Sequence, residues 1–278
     1  MPYLGPDRDL GSMQCIRAHL DDGVLTIALD RPGQRNAIDV ALSLEMDRML
    51  RVVGTDPAVR VVVLRGEGPG FCAGIDTEDF HDAGRRDEVA LRAARESANH
   101  WQVRLLRLLP QPVIAMVHGF CKGGALAILE SCDVVLTADD TEFSIGDPGG
   151  ALFPEGPLAK SVSQMMSPRA ARYYALSGRA FDGPEAERNG VASRSVPAAE
   201  LERETDALAR EFVGKDAIAL QFTKQTLRHV DAMSWDGVLD YTAAKFAELK
   251  TLQAGRPSVR AAAVESFLDG KSKPGLGG

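Results

Sequence analysis

Hydrophobic and polar positions along this chain follow two patterns, short apolar runs and longer stripes with a helical period. The first clear run is Val24–Leu29, bounded by Asp22-Gly23 and by Arg31-Pro32-Gly33, which predicts a strand between turns. Asp39 then stands where it can cap a helix, and Leu42, Met46, Met49, Leu50 and Val53 fall on one face of it before Asp56-Pro57. Val59–Leu64 is β-branched and almost unbroken, the signature of a strand buried on both faces. Strand, helix and strand in this order make a βαβ unit with a crossover connection.

The same order returns further on. Pro112–Val117 predicts a strand, Gly119, Gly123 and Gly124 a turn, Ala125–Ser131 a helix and Val134–Ala138 another strand. Beyond Ser167 the strand signals fade. Ser167-Pro168 and Gly178 have the composition of a helix start and a helix end, and Pro184–Asn189 with Gly190 repeats it on a smaller scale. Residues 198–212, 217–229, 235–250 and 258–269 predict further helices, the third carrying Trp235, Leu239, Thr242, Phe246 and Leu249 as a mostly apolar stripe. The organisation expected is an α/β core over residues 1–197 and a helical region over 198–278, packed on its own core or on a neighbour's.

Composition narrows the classes of function. The chain has 278 residues, 39 acidic against 32 basic, and a net charge of −7, which disfavours nucleic acid as a partner. Its 45% hydrophobic and 26% charged residues are ordinary for a globular protein, and no apolar run is long enough to cross a bilayer. Cys15, Cys72, Cys121 and Cys132 form no CxxC pair and have no histidine at zinc spacing, so no metal is expected. Met1–Leu10 lacks the charged-then-apolar order of a secretory leader, and the expectation is a reduced cytoplasmic protein with buried thiols.

Two glycine-bearing junctions follow predicted strands. One runs Arg65-Gly66-Glu67-Gly68-Pro69-Gly70-Phe71-Cys72-Ala73-Gly74-Ile75-Asp76, the other His118-Gly119-Phe120-Cys121-Lys122-Gly123-Gly124-Ala125. The first is no dinucleotide fingerprint and no phosphate loop, and the second holds no serine nucleophile between glycines. Taken singly, each reads as a turn before a helix. Two backbone N–H donors converging from separate junctions would instead stabilise negative charge as it develops on a carbonyl oxygen.

In this pair the chain resembles the crotonase superfamily, the enoyl-CoA hydratases and isomerases. The resemblance rests on Phe71-Cys72-Ala73-Gly74-Ile75-Asp76 and Lys122-Gly123-Gly124-Ala125. Arg31-Pro32, Asn36-Ala37, Cys132-Asp133 and Ala180-Phe181-Asp182 in their order extend it over nearly the whole chain. It implies a crotonase-like spiral of ββα units with a C-terminal helical oligomerisation region, assembled as a homotrimer or a dimer of trimers. It also implies an acyl-CoA thioester as substrate and no cofactor, coenzyme A being part of the substrate.

Carried over to this chain, the oxyanion donors are the N–H groups of Ile75 and Gly124. Ala73, Gly74, Asp76, Gly123 and Gly146 line the bound substrate. Arg31 and Arg35 either meet CoA phosphates or form a solvated basic loop, and Phe267 and Lys271 belong to a C-terminal helix that closes over the CoA of a neighbouring subunit.

The carboxylates depart from the hydratase pattern. Where hydratases place a glutamate just inside the helix after the second junction, this chain has Ala127, and Glu130 lies about 300° further round the helix. At the second acidic position stands Asp147, followed by Glu155 across a Pro- and Gly-containing loop; dienoyl-CoA isomerases of the superfamily carry acids at these two places. Asp147 reads as the main base, or as a loop aspartate bonding its own backbone. Glu155 reads as its partner, or as a glutamate complementing a helix start. His118 reads as a packed residue at a strand end, and Asp76 as a cap.

Trp235, Asp240-Tyr241, Lys245 and Phe267–Leu276 are similar to the hydroxycinnamoyl-CoA hydratase-lyases, yet Asp147, Ala127 and Ala243 replace that subgroup's glutamate, serine and tyrosine. Three functions stay open: an enoyl-CoA hydratase/isomerase, a hydratase-lyase, and a non-catalytic acyl-CoA-binding homologue.

Overall fold

The computed structural model describes residues 12–76, 78, 88–150, 153–254 and 267–269. The chain forms two compact units, one ending at Gly214 and one beginning at Lys215.

In the first unit β1 (Ile16–Asp21) and β2 (Val24–Leu29) make an antiparallel hairpin, in register from Ile16 opposite Leu29 to Asp21 opposite Val24. Asp39 caps α1 (Val40–Val53) by accepting from Leu42 N–H at 2.7 Å, and Leu42, Met46, Met49, Leu50 and Val53 are its buried face, as their spacing predicts. β3 (Val61–Gly66) pairs parallel with β2. Helix α2 (Glu88–His100) runs on through a π-helical turn, Trp101–Leu105, and one last turn, Leu106–Leu108. β4 (Val113–Val117), β5 (Phe120–Lys122) and α3 (Ala125–Ser131) follow, then β6 (Val134–Ala138) and β7 (Glu142–Ser144). Next come α4 (Leu158–Met165), α5 (Pro168–Ser177), α6 (Gly183–Asn189), β8 (Arg194–Val196) and α7 (Leu201–Val213).

Six strands form one sheet in the order β1-β2-β3-β4-β6-β8, parallel beyond the first hairpin, and β5 pairs parallel with β7 in a second, small sheet. The pairs β4–β5 and β6–β7 thus each send their first strand to the large sheet and their second to the small one. The small sheet is extended by single bridges, Cys72 with Cys121 and Phe143 with Phe181. This mixed α/β arrangement is the class expected, and it decides where chemistry can sit. Both glycine junctions lie between a large-sheet strand and the small sheet, so they are brought side by side.

The large sheet is buried on both faces. Val62 and Leu64 pack into the core with Leu25, Ile27, Met46, Trp101 and Leu126, whereas Val61 and Val63 face Ile114, Met116 and Leu136 on the other side. Helix α7 covers that second face with Leu201 and Ala209. The first unit therefore runs past the 197/198 boundary expected from the sequence, because α7 has apolar positions that belong to the sheet. The second unit holds α8 (Ala217–Val230) and α9 (Trp235–Leu252), capped by Asp216 and Ser234. Lys245 Nζ lies over the Phe222 ring at 4.8 Å, tying the two helices together, while Trp235, Leu239 and Phe246 of the predicted stripe are exposed. The helix predicted over 258–269 lies outside the described residues apart from Phe267–Asp269.

Candidate active site

The first junction leaves β3 at Gly66 and closes against the second one residue by residue. Phe71 N–H donates to His118 O and Phe120 O, Cys72 N–H to Phe120 O, and Lys122 N–H back to Cys72 O at 3.0 Å. Glycine is required where they meet. Gly74 has φ +93°, and a Cβ there would stand 2.7 Å from Lys122 O, closer than real side chains come to backbone.

Accounting for the backbone donors isolates three of them, two of which face each other across the gap. Ala73 N–H donates to Arg35 O, Gly74 N–H to Cys72 Sγ and Asp76 N–H to Ile38 O. Across the gap, Gly123 N–H donates to Ser144 O and Leu126 N–H to Gly123 O. Among the described residues the N–H groups of Ile75, Gly124 and Ala125 have no acceptor. The latter two open helix α3, where the first turn leaves donors unpaired and the dipole is positive. Ile75 and Gly124 adjoin each other, since a Cβ built on Gly124 would lie 3.7 Å from Ile75 N. The sequence-predicted pair is therefore brought together.

The carboxylates are arranged differently. Asp147 is exposed, and its Oδ1 accepts from Gly149 N–H at 2.8 Å, the local turn that its Pro and Gly neighbours favour. Glu155 is exposed as well, and its carbonyl accepts from Leu158 N–H at the start of α4. Gly146 stands half-buried just before Asp147 with φ +151°. Ala127 is 0% exposed, and Glu130 is ion-paired with Arg107, whose guanidinium burial makes less basic than usual. Neither supplies a free acid at the helix start.

Arg31 corrects an expectation. Its guanidinium lies 2.8 Å from Asp39 Oδ2 and 3.5 Å from Asp76 Oδ2 and donates to Ala37 O, with the side chain 15% exposed. A fork already held by two carboxylates and a carbonyl is not free for a phosphate. Nor is Asp76 only a cap, since its carboxylate answers Arg31. No sequence signal linked residues 31 and 76. Arg35, by contrast, is exposed in a left-handed turn with φ +53°. Phe267 is exposed in the second unit, and Lys271 lies outside the described residues.

The thiols beside the junctions are inert. Cys72 is fully buried, donates to Asn36 O at 3.0 Å, and burial pushes it up to about 12; burial likewise raises Cys121 far above the usual thiol range. His118 Nε2 lies 2.9 Å from Gly68 O, a contact that joins the second junction to the first. Among the described residues no group of three or more His, Cys, Asp or Glu is placed to hold a metal ion, and no helix is long and apolar enough to cross a membrane.

Known proteins resemble the chain over most of its length. The family model for enoyl-CoA hydratase/isomerase matches residues 19–255. The chain is 32% identical over 270 residues to a hydroxycinnamoyl-CoA hydratase-lyase of Pseudomonas fluorescens, covering 96% of each chain. It is 30% identical over 247 residues to the human mitochondrial Delta(3,5)-Delta(2,4)-dienoyl-CoA isomerase, covering 86% of this chain and 75% of that one. A crystal structure of a Streptomyces coelicolor A3(2) protein, provisionally named an enoyl-CoA hydratase, superimposes with a TM-score of 0.84 at 25% identity over 94% of both chains. With its strand–strand–helix repeats, its two apposed glycine junctions and a family match over most of its length, the chain belongs to the enoyl-CoA hydratase/isomerase family.

Proposed function

We propose that this protein is an acyl-CoA enzyme that holds a thioester enolate between the N–H groups of Ile75 and Gly124 and moves protons with Asp147 and Glu155. The observation that carries the reading is the pair of adjacent, acceptor-less N–H groups, one from each glycine junction. Such donors are placed before the reaction begins, so they stabilise the charged oxygen more than the neutral carbonyl.

In the step envisaged, Asp147 takes a proton from a carbon activated by the thioester. The C–H electron pair becomes the C=C bond of the enolate, the negative charge goes to the thioester oxygen, and Glu155 returns a proton further along the chain. A buried alanine at position 127 and the Arg107–Glu130 pair leave no second acid for adding water at the helix start, which favours proton relocation over hydration. No cofactor beyond the CoA of the substrate enters this scheme, and a homotrimer or dimer of trimers is the assembly proposed.

The test is turnover of Asp147→Asn on a panel of 2-enoyl, dienoyl and aromatic enoyl-CoA esters, with ester affinity measured alongside. Loss of a positioned general base costs on the order of 10²–10⁴-fold in rate while ester binding holds. Full activity in the variant would remove Asp147 from the mechanism. The extended similarity to a hydratase-lyase favours a second reading, which requires that an aromatic ester yield an aldehyde and acetyl-CoA. Tight binding by the wild-type protein without turnover of any ester would make it a binding homologue.

A further inference from the structure

The segment before α1 is built with unusual care. Arg35 and Asn36 both adopt left-handed backbone, φ +53° and +55°, a conformation that non-glycine residues keep only when their surroundings enforce it. Asn36 is completely buried and uses its whole amide: Oδ1 accepts from Arg31 N–H at 2.9 Å, and Nδ2 donates to Glu67 O and Gly70 O at 2.8 and 2.9 Å. These bonds turn the chain so that Ile38 runs alongside Ile75 as a parallel bridge. Ile38 N–H donates to Gly74 O at 2.8 Å, and Asp76 N–H donates to Ile38 O at 2.9 Å.

The peptide joining Gly74 to Ile75 is planar and trans, so its C=O and N–H point in opposite directions. With Gly74 O bonded to Ile38, the Ile75 N–H is aimed away from Ile38, toward the side where Gly124 stands. Whatever holds Ile38 in place therefore sets the direction of that donor. Arg31 grips both sides of the bridge: its guanidinium donates to Ala37 O, one residue before Ile38, and pairs with Asp76, one residue after Ile75. Asp39 anchors the same fork at 2.8 Å and caps α1, which ties the bridge to a rigid helix.

We propose that Arg31 is a positioning residue: by clamping Ala37 O and the Asp76 carboxylate it holds Ile38 against Gly74 and so aims the Ile75 N–H at the developing oxyanion. This rests on Ile75 N–H being an oxyanion donor, and it replaces a phosphate contact as the reason for an arginine at this position. Lysine cannot reproduce it fully, since an ammonium is a point charge and not a planar fork reaching two carboxylates and a carbonyl.

The experiment uses acetoacetyl-CoA as probe, because its enolate absorbs in the near ultraviolet and reports oxyanion stabilisation without turnover. Free coenzyme A, titrated calorimetrically, reports phosphate contacts alone. Arg31→Met is expected to cut the enolate fraction of bound acetoacetyl-CoA on the order of tenfold, since a small misplacement of a donor is costly. Affinity for coenzyme A should stay within about twofold of wild type, as no phosphate contact is lost. Arg31→Lys should fall between the two. Asp76→Asn removes the same link from the other side and should act in the same direction, which keeps the test available if Arg31→Met does not fold. A loss of coenzyme A affinity with an unchanged enolate fraction would overturn the clamp in favour of a phosphate contact. A wild-type enolate band that neither variant weakens would also overturn it, leaving the oxyanion hole intact. No enolate band in the wild type would remove the oxyanion reading itself, and the clamp with it.

Discussion

Substituting Gly124 by alanine separates the cost to the fold from the cost to the chemistry. Gly124 has φ −55° and ψ −20°, ordinary helical values that alanine adopts freely, so the backbone sets no obstacle. The added Cβ would meet Ile75 Cγ1 at 3.0 Å and Cδ1 at 3.4 Å, the flexible end of a partly exposed side chain. Relieving that contact needs a shift of a few tenths of an ångström. Alanine at a compatible site also lowers the entropy of the unfolded chain, worth about 0.4–1 kcal/mol in favour of folding. Mild overpacking costs about as much or slightly more. The two nearly offset, and the variant should lie within about 1 kcal/mol of wild type in urea denaturation.

The site is affected far more. The new methyl group would stand 3.7 Å from Ile75 N, crowding one of the two donors that an oxygen must reach. Alanine keeps its own N–H, so the loss comes from a methyl group that holds the oxygen off its donors; forfeiting one donor of such a pair costs on the order of 10²–10³ in kcat, about 2.7–4 kcal/mol of transition-state stabilisation. The assay pairs steady-state turnover with the enolate absorbance of bound acetoacetyl-CoA, and both should fall together. A folded Gly124→Ala protein that turns over within threefold of wild type would show that no oxygen binds between these two junctions.

Two further predictions concern the scaffold. Asp47 lies 2.6 Å from Arg51 Nε and 2.6 Å from His100 Nδ1; burial pushes its carboxyl up, but the hydrogen bonds from Arg51 and His100 outweigh that and hold it below the ordinary value of 3.8. A carboxyl that is more acidic folded than unfolded stabilises the fold above its unfolded value, and that stabilisation is lost as the pH falls through its folded value. Asp47→Asn should therefore destabilise at neutral pH by up to about 1 kcal/mol, the pairs being partly exposed. The gap to wild type in urea midpoints should close in acid; a gap constant down to pH 2 (about the floor of the carboxylate range) would contradict the linkage. Thiol labelling provides the other test. Cys15 is pushed up to about 11 and Cys72 to about 12 by burial, and burial raises Cys121 as well, whereas Cys132 is only partly buried. A maleimide at neutral pH should modify Cys132 alone in the native protein and all four after denaturation, since reactivity follows the exposed thiolate. Native labelling of Cys72 would mean that the junction opens.

Local chemistry made the elements legible. Val24–Leu29, Ala125–Ser131 and Val134–Ala138 have the bounds that their apolar runs predict, and Asp39, Ser167 and Asp182 cap the helices that follow them. Strand β1 escaped notice because only three of its six residues are apolar and its role is to edge the sheet. Helix α4, lacking a side-chain cap, was equally silent. The two glycine junctions were visible, since each carries its own turn chemistry, and their pairing identified the family.

Family resemblance pointed to Ile75 and Gly124, but nothing in the local chemistry of the chain says which N–H of each junction stays unpaired or what each charged side chain grips. Those answers depend on partners far away in sequence: Ala73 on Arg35, Asp76 on Ile38, Gly123 on Ser144, Arg31 on Asp76. Turns and helix ends are settled by forces acting within a few residues, so the order of amino acids declares them. A free donor is defined by every bond that its neighbours have already made, and those bonds exist only once the sheet has brought distant segments within hydrogen-bonding reach.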